Sequence, residues 1–136
     1  VILEVDLDSE VPIYQQLRDR VVEAIAAGLL RTGSPLPSTR ALASDFGVNF
    51  HTVNKGYDLL RQQGLLRINR KSGAVVSRDR TSGPPEPDFV PDWTARATTL
   101  LAEASAHGVS DEEVLEICRG VLRSFAAQES AREGES

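Results

Sequence analysis

The sequence is poor in the residues that build metal and redox centres. It has one cysteine, Cys118, two histidines, His51 and His107, and no methionine in 136 residues. A lone thiol excludes an internal disulfide and any multi-thiolate metal site within one chain. Two distant histidines leave no histidine-rich metal chemistry, so neither a metal nor a cofactor is expected. No apolar stretch approaches the roughly 18 residues of a membrane span, and the start lacks the basic–apolar–small order of a signal peptide. A cytoplasmic protein without a membrane partner is expected, in a bacterial or archaeal cell. The length suits one small domain with an appendage, not an enzyme scaffold plus a cofactor domain.

What is present is unevenly placed. The formal net charge is -5, which alone argues mildly against a nucleic-acid partner. Residues 1–80, however, carry 11 basic against 9 acidic residues, and residues 81–136 carry 4 against 11. Within 38–80 the balance is 8 basic to 3 acidic. A basic segment joined to an acidic one suggests a division of labour, although solvated faces would give the same pattern.

Residues 1–8 alternate partly, as a short strand or arm does. Pro12 suits the first turn of a helix. Ile13, Leu17, Val21 and Ile25 then recur every fourth residue as one apolar face, and Gly28 is the stop. Leu29–Pro37 is turn-rich and reads as a loop. Ser38 caps a second helix whose apolar side is Ala41, Leu42 and Phe46, and Gly47 breaks it. Asn49 caps a third helix with Val53, Tyr57 and Leu60 as its inner stripe, ending at Gly64. Leu65–Asn69 and Ala74–Ser77 read as two strands of a hairpin with Arg70 and Lys71 at its tip.

Three helices and a two-stranded wing make a winged helix-turn-helix domain over residues 1–79. Residues 80–92, with four prolines, read as a linker. Two more helices follow over 93–127, and a polar, flexible tail over 128–136. The expected class is mainly α with a small β-hairpin: a winged helix-turn-helix domain followed by a C-terminal two-helix hairpin. In the first of the two helices Trp93, Ala97, Leu100, Leu101 and Ala104 share a face. His107-Gly108 ends it. Ser110 caps the second, and Val114, Ile117, Cys118, Val121, Leu122 and Phe125 form its wide stripe. Two such helices cannot enclose their own apolar faces, and a symmetric dimer is the commonest solution. Trp93, Leu100, Leu101, Val114, Ile117, Val121, Leu122 and Phe125 are therefore the dimerisation candidates. Cys118 on that stripe reads as a small hydrophobe rather than a redox sensor.

A helix-turn-helix lays the N-terminal half of its last helix in the DNA major groove. Here that half is Asn49, Phe50, His51, Thr52, Val53, Asn54 and Lys55, with Val53 turned inward. Asn54 can bond adenine, and Thr52 or Phe50 can touch a thymine methyl. Lys55 and Arg40 suit phosphate, although an arginine can also read guanine, and Ser38 and Thr39 at a helix N-terminus suit phosphate too. Arg70 and Lys71 suit the backbone or a neighbouring minor groove. Each has a plainer reading: Asn49 as a cap first, His51 as a solvated helix residue, and Arg70 and Lys71 as solubility for a hairpin.

The run Pro12-Ile13-Tyr14-Gln15-Gln16-Leu17 is followed by Gly28-x-Leu30-x-x-Gly33-x-x-Leu36-Pro37-Ser38-x-Arg40-x-Leu42-Ala43. Then comes Val48-Asn49-x-x-Thr52-Val53-x-Lys55-x-Tyr57-x-x-Leu60-x-x-x-Gly64. This resembles the GntR family of bacterial transcription regulators over roughly residues 10–77. The short two-helix tail resembles the YtrA-like subfamily. The resemblance implies a winged-helix DNA-binding domain and a homodimer that represses nearby operons, with Arg40, Thr52, Asn54 and Lys55 as DNA contacts and Asn49 at the cap. The chain departs from the family where Phe50 replaces a frequent Arg or Pro and His51 a frequent Asn. It departs again where the wing has Gly73 alone in place of Gly-x-Gly. Those positions bear on the operator sequence rather than on the fold.

The reading that follows is a sequence-specific regulator binding double-stranded operator DNA as a homodimer. The alternative is a winged-helix protein–protein adaptor that reads no DNA, favoured by the acidic net charge and by Phe50. No nucleophile–base pair, phosphate loop or metal cluster supports an enzyme. A small-molecule effector stays open, with Trp93 either lining a pocket in the dimer interface or serving as a packing anchor.

Overall fold

The first helix turns the expected face inward and is held there by a core drawn from all parts of the first domain. A computed structural model of the chain describes residues 3–69 and 73–135. Helix α1 spans Ile13–Ala26, with Pro12 as its N-cap rather than inside its first turn. Leu17 and Val21 are fully buried, Ala24 and Ile25 nearly so, and Ile13 at the margin is half-buried. Among the described residues, Gln16 is the one buried polar side chain. It accepts from the Asp6 N–H at 2.7 Å and donates to the carbonyls of Asp6 (2.9 Å) and Val11 (2.8 Å). It thereby pins the N-terminal segment on α1. In that segment residues 3–6 form no regular strand, and turns and bends follow over residues 7–11.

Helix α2 spans Thr39–Phe46 and α3 Phe50–Gln62. Both caps are as the residue types require: Ser38 Oγ accepts from the Ala41 N–H, and Asn49 Oδ1 from the His51 N–H. Each offsets an orphan donor of the first turn. The inner side of α2 is Leu42 and Ala43, with Phe46 half-buried and Ala41 exposed, so the apolar stripe lies one residue beyond the expected one. Gly47 ends α2 in the left-handed conformation. In α3, Val53 and Leu60 are fully buried and Tyr57 is 2% exposed. Such aliphatic side chains each stabilise the fold by about 1.5–3 kcal/mol when withdrawn from water. Helix α3 packs on both α1 and α2.

Strands β1 (Leu66–Asn69) and β2 (Gly73–Val76) are antiparallel, with Leu66 opposite Val76 and Asn69 opposite Gly73. The segment read as a loop before α2 does more than connect. Pro35 bridges Val75, and Gly33, Leu36 and Val76 exchange backbone bonds with Val76, Ala74 and Ser34 at 2.8–2.9 Å. It acts as a third, edge-like partner of the wing. Its two prolines mask this in the sequence, because proline suits edge positions that donate nothing.

Helix α4 spans Phe89–Ala106 and α5 Asp111–Glu135. Two expected boundaries are corrected here. The helix takes in the last four residues assigned to the linker, since Pro91 in the first turn sacrifices no intrahelical bond. The polar residues from 128 continue α5 rather than leaving it, because they break no backbone requirement of a helix. Between the two helices, His107 caps α4, and Ser110 Oγ accepts from Glu113 N–H at 3.2 Å. The two helices make little contact with each other. The far half of α5 instead returns to the first domain: Val121, Phe125 and Gln128 share a cleft of about 370 Å³ with Leu3, Arg20, Glu23, Ala24 and Leu29. Beyond it, Glu129 meets Arg80 at 2.8 Å and Arg31 at 3.8 Å.

Candidate nucleic-acid interface

The turn between α2 and α3 is short, Gly47-Val48-Asn49, and one internal bond fixes its angle. The Tyr57 hydroxyl donates to the Pro37 carbonyl at 2.7 Å, tying the middle of α3 to the entry of α2. Burial pushes the Tyr57 phenol well above its ordinary range, so it remains a donor at all physiological pH. With Val53, Tyr57 and Leu60 facing the core, the opposite side of α3 is forced outward. His51, Asn54 and Lys55 are exposed there, and Thr52 and Phe50 are half-buried. From α2 and its cap, Arg40 and Ser38 are exposed and Thr39 is half-buried. The expected contact residues of α2 and α3 are thus all at least partly open to solvent. Arg70 and Lys71 lie outside the described residues.

The electrostatics of this surface are those of unneutralised cations. The Arg40 guanidinium lies over the Phe50 ring, 4.5 Å from its centroid. The Lys55 ammonium lies over the Tyr14 ring at 4.1 Å. The Phe50 and His51 rings are 4.1 Å apart at 33°. The nearest acid along α3, Asp58, is bound by Arg61 at 2.6 and 3.0 Å and by Gln62 at 2.7 Å. The Arg61 bond holds its carboxyl below the usual range, with the arginine's charge and Gln62 adding to it. Asp58 is therefore a compensated charge beside the surface. Asn49 serves as the cap, and its side-chain amide keeps two further donors. Tyr14 escaped sequence reasoning. It sits at the start of α1, and only the α1–α3 crossing brings it to Lys55.

The dimerisation candidates divide. Trp93 (52% exposed), Leu100, Leu101, Ile117 and Leu122 stand largely in solvent, and Val114 is half-buried. Val121 and Phe125 face the α1 cleft of their own chain. Trp93 is not part of that cleft. Cys118 is exposed rather than packed. Among the described residues no group of His, Cys, Asp and Glu side chains could hold a metal ion, and no helix is long and apolar enough to cross a membrane.

Three helices, a two-stranded wing and a cation-bearing third helix define a winged helix-turn-helix protein. Residues 13–76 match the family described as bacterial regulatory proteins, gntR family. The solved structure of YtrA from Sulfolobus acidocaldarius, a GntR-family transcription factor, is 37% identical, with 73% of this chain and 99% of that one covered and a TM-score of 0.56. The chain belongs to the GntR family and is similar to its YtrA-like members. The transcriptional repressor YtrA of Bacillus subtilis is 32% identical over 77 residues, 57% of this chain and 59% of that protein. A transcriptional antiterminator of Listeria monocytogenes shares the fold at a TM-score of 0.82 over 92% of both chains, at 23% identity. That likeness extends beyond the winged domain into the C-terminal helices. The chain spans 15 to 63% of the length of three curated relatives that it matches.

Proposed function

We propose that the protein regulates transcription as a homodimer that binds a two-fold symmetric operator, acting as a repressor. The observation that carries this reading is the outward row of Arg40, His51, Asn54 and Lys55 on α2 and α3, opposite a fully buried Val53. Cations at the ends of this row suit phosphate, and the amide and imidazole between them suit base edges. The repressor named YtrA supports the sign of regulation. The apolar faces of α4 and α5 support a second copy as the partner, with Trp93, Leu100, Leu101, Val114, Ile117 and Leu122 in the interface. The acidic charge of residues 81–136 would then stand away from DNA and disfavour nonspecific contacts there.

Selection of random duplex DNA on the purified protein tests the reading. Enriched sites should show two-fold symmetry, with half-sites about one helical turn apart. No enrichment at low or moderate salt would sink it and favour a protein–protein adaptor. On the selected site, Arg40→Ala should weaken binding similarly across sequences and lower the salt dependence by about one phosphate contact. His51→Ala and Asn54→Ala should alter base preference, by about 1–3 kcal/mol for a good contact. An unchanged preference profile in both would remove their readout role.

A further inference from the structure

Among the described residues, Arg40 and Lys55 are held differently from most other cations. Away from α2 and the start of α3, most described arginines are held by carboxylates, among them Arg18 by Asp19, Arg20 by Glu23, Arg61 by Asp58 and Arg80 by Glu129, while Arg78 donates to the Gly83 carbonyl and Arg67 stands exposed. Arg40 and Lys55 have no carboxylate partner among the described residues. Each instead lies over an aromatic face, Arg40 on Phe50 and Lys55 on Tyr14. The distinction has a physical consequence. A carboxylate competes with phosphate for a cation. A neutral ring attracts the cation weakly and leaves its charge available. A long basic side chain also loses rotamer freedom when DNA fixes it, and one already confined over a ring loses less.

We propose that Phe50 and Tyr14 are positioning residues of the DNA-binding surface, holding Arg40 and Lys55 in place for phosphate without neutralising them. Phe50 has a further role. Its ring packs against the domain core on one side and lies against His51, so one residue orients a cation and an imidazole together. This rests on the DNA-binding reading and deepens it, because Phe50 then acts through its neighbours and not by touching a base.

Double-mutant cycles on the selected operator test the proposal in the full chain. Phe50→Leu keeps apolar bulk against the core and removes the ring. It should weaken binding about two- to five-fold, with the salt slope of wild type and no change of base preference beyond the positions that His51→Ala alters. Phe50→Tyr should restore affinity. In a chain already carrying Arg40→Ala and His51→Ala, Phe50→Leu should cost nothing more. Tyr14→Leu should likewise weaken binding alone and cost nothing more beside Lys55→Ala. This second cycle carries the test if Phe50→Leu lowers the thermal midpoint. Full additivity in the cycles, no loss in either single variant, or failed restoration by Phe50→Tyr would overturn the proposal. So would a change of base preference in Phe50→Leu at positions that His51→Ala leaves untouched, which would make Phe50 a direct contact. A wild-type protein without selective, salt-dependent binding would remove the DNA reading itself; selective wild-type binding with uncoupled cycles removes the positioning role alone.

Discussion

Asp79 follows the second wing strand and carries more bonds than any other surface carboxylate described. The Thr32 N–H (2.8 Å) and hydroxyl (3.0 Å) donate to one oxygen, and the Thr81 N–H (2.8 Å) and hydroxyl (2.6 Å) to the other. The Thr32 N–H contributes most to holding the carboxyl far below its ordinary range, followed by the Thr81 hydroxyl and N–H. The folded state thus prefers the ionised form more than the unfolded chain does. The resulting stability is fully present above the unfolded value of about pH 4 and fades as pH falls through the lower folded value. Asp79→Asn should therefore lower the thermal midpoint near pH 7, and its deficit should shrink steadily below about pH 4. A deficit that is constant from pH 7 to pH 3 would show that shape rather than charge matters there. At this scale the caps Ser38 and Asn49 and the inward Val53 were legible in the sequence, because each depends on neighbours within a helical turn. The Asp79–Thr32 and Tyr14–Lys55 contacts were not, because each joins segments that only the folded chain brings together.

The crossing of α1 and α3 depends on one missing side chain. A Cβ on Gly56 would fall 3.0 Å from both the Leu17 Cδ2 and the Tyr14 backbone oxygen. Leu17 could rotate, but the Tyr14 carbonyl belongs to α1 and can move only with the helix. Gly56→Ala gains about 1 kcal/mol of helix propensity and incurs an overpacking cost of about 1–3 kcal/mol. The second effect should win, giving a lower denaturant midpoint at unchanged slope; a higher midpoint would mean that α1 shifts to admit the methyl group at little cost. Elements with a strict apolar period, α1 and α3, were read from the sequence nearly to their ends. The misplaced boundaries belong to α4 and α5, where no buried stripe marks the limits and a first-turn proline imitates a break. Docking of α5 was equally hidden, since it brings Glu129 to Arg80 and Arg31 across the fold. Glu129→Ala should speed amide exchange over residues 121–131 and leave α1–α3 protected. Unchanged exchange would mean that the cleft residues Val121 and Phe125 suffice to hold the helix.

For the whole molecule the decisive quantity is the apolar surface left in water. No residue of α4 is buried. Phe89, Val90, Trp93, Leu100, Leu101, Leu115, Ile117 and Leu122 are between 48% and 68% exposed. Single exposed hydrophobes are ordinary, but this many on two successive helices is what a partner surface looks like. The winged domain needs no such partner, since its own core is closed around Leu17, Val21, Val53, Tyr57, Leu60 and Val76. The proposed assembly and the proposed DNA contact should thus be separable, and a charge introduced on the tail should disturb the first without unfolding the winged domain. Leu101→Glu together with Leu122→Glu should convert the proposed dimer to a monomer in sedimentation velocity, at an unchanged helix content. A single half-site should still be bound with wild-type intrinsic affinity. The full operator should be bound far more weakly, by about 10²-fold or more, because the second half-site is no longer held at high effective concentration. A doubly substituted protein that stays dimeric would place the interface elsewhere. One that is monomeric yet binds the full operator as wild type does would separate dimerisation from operator recognition altogether.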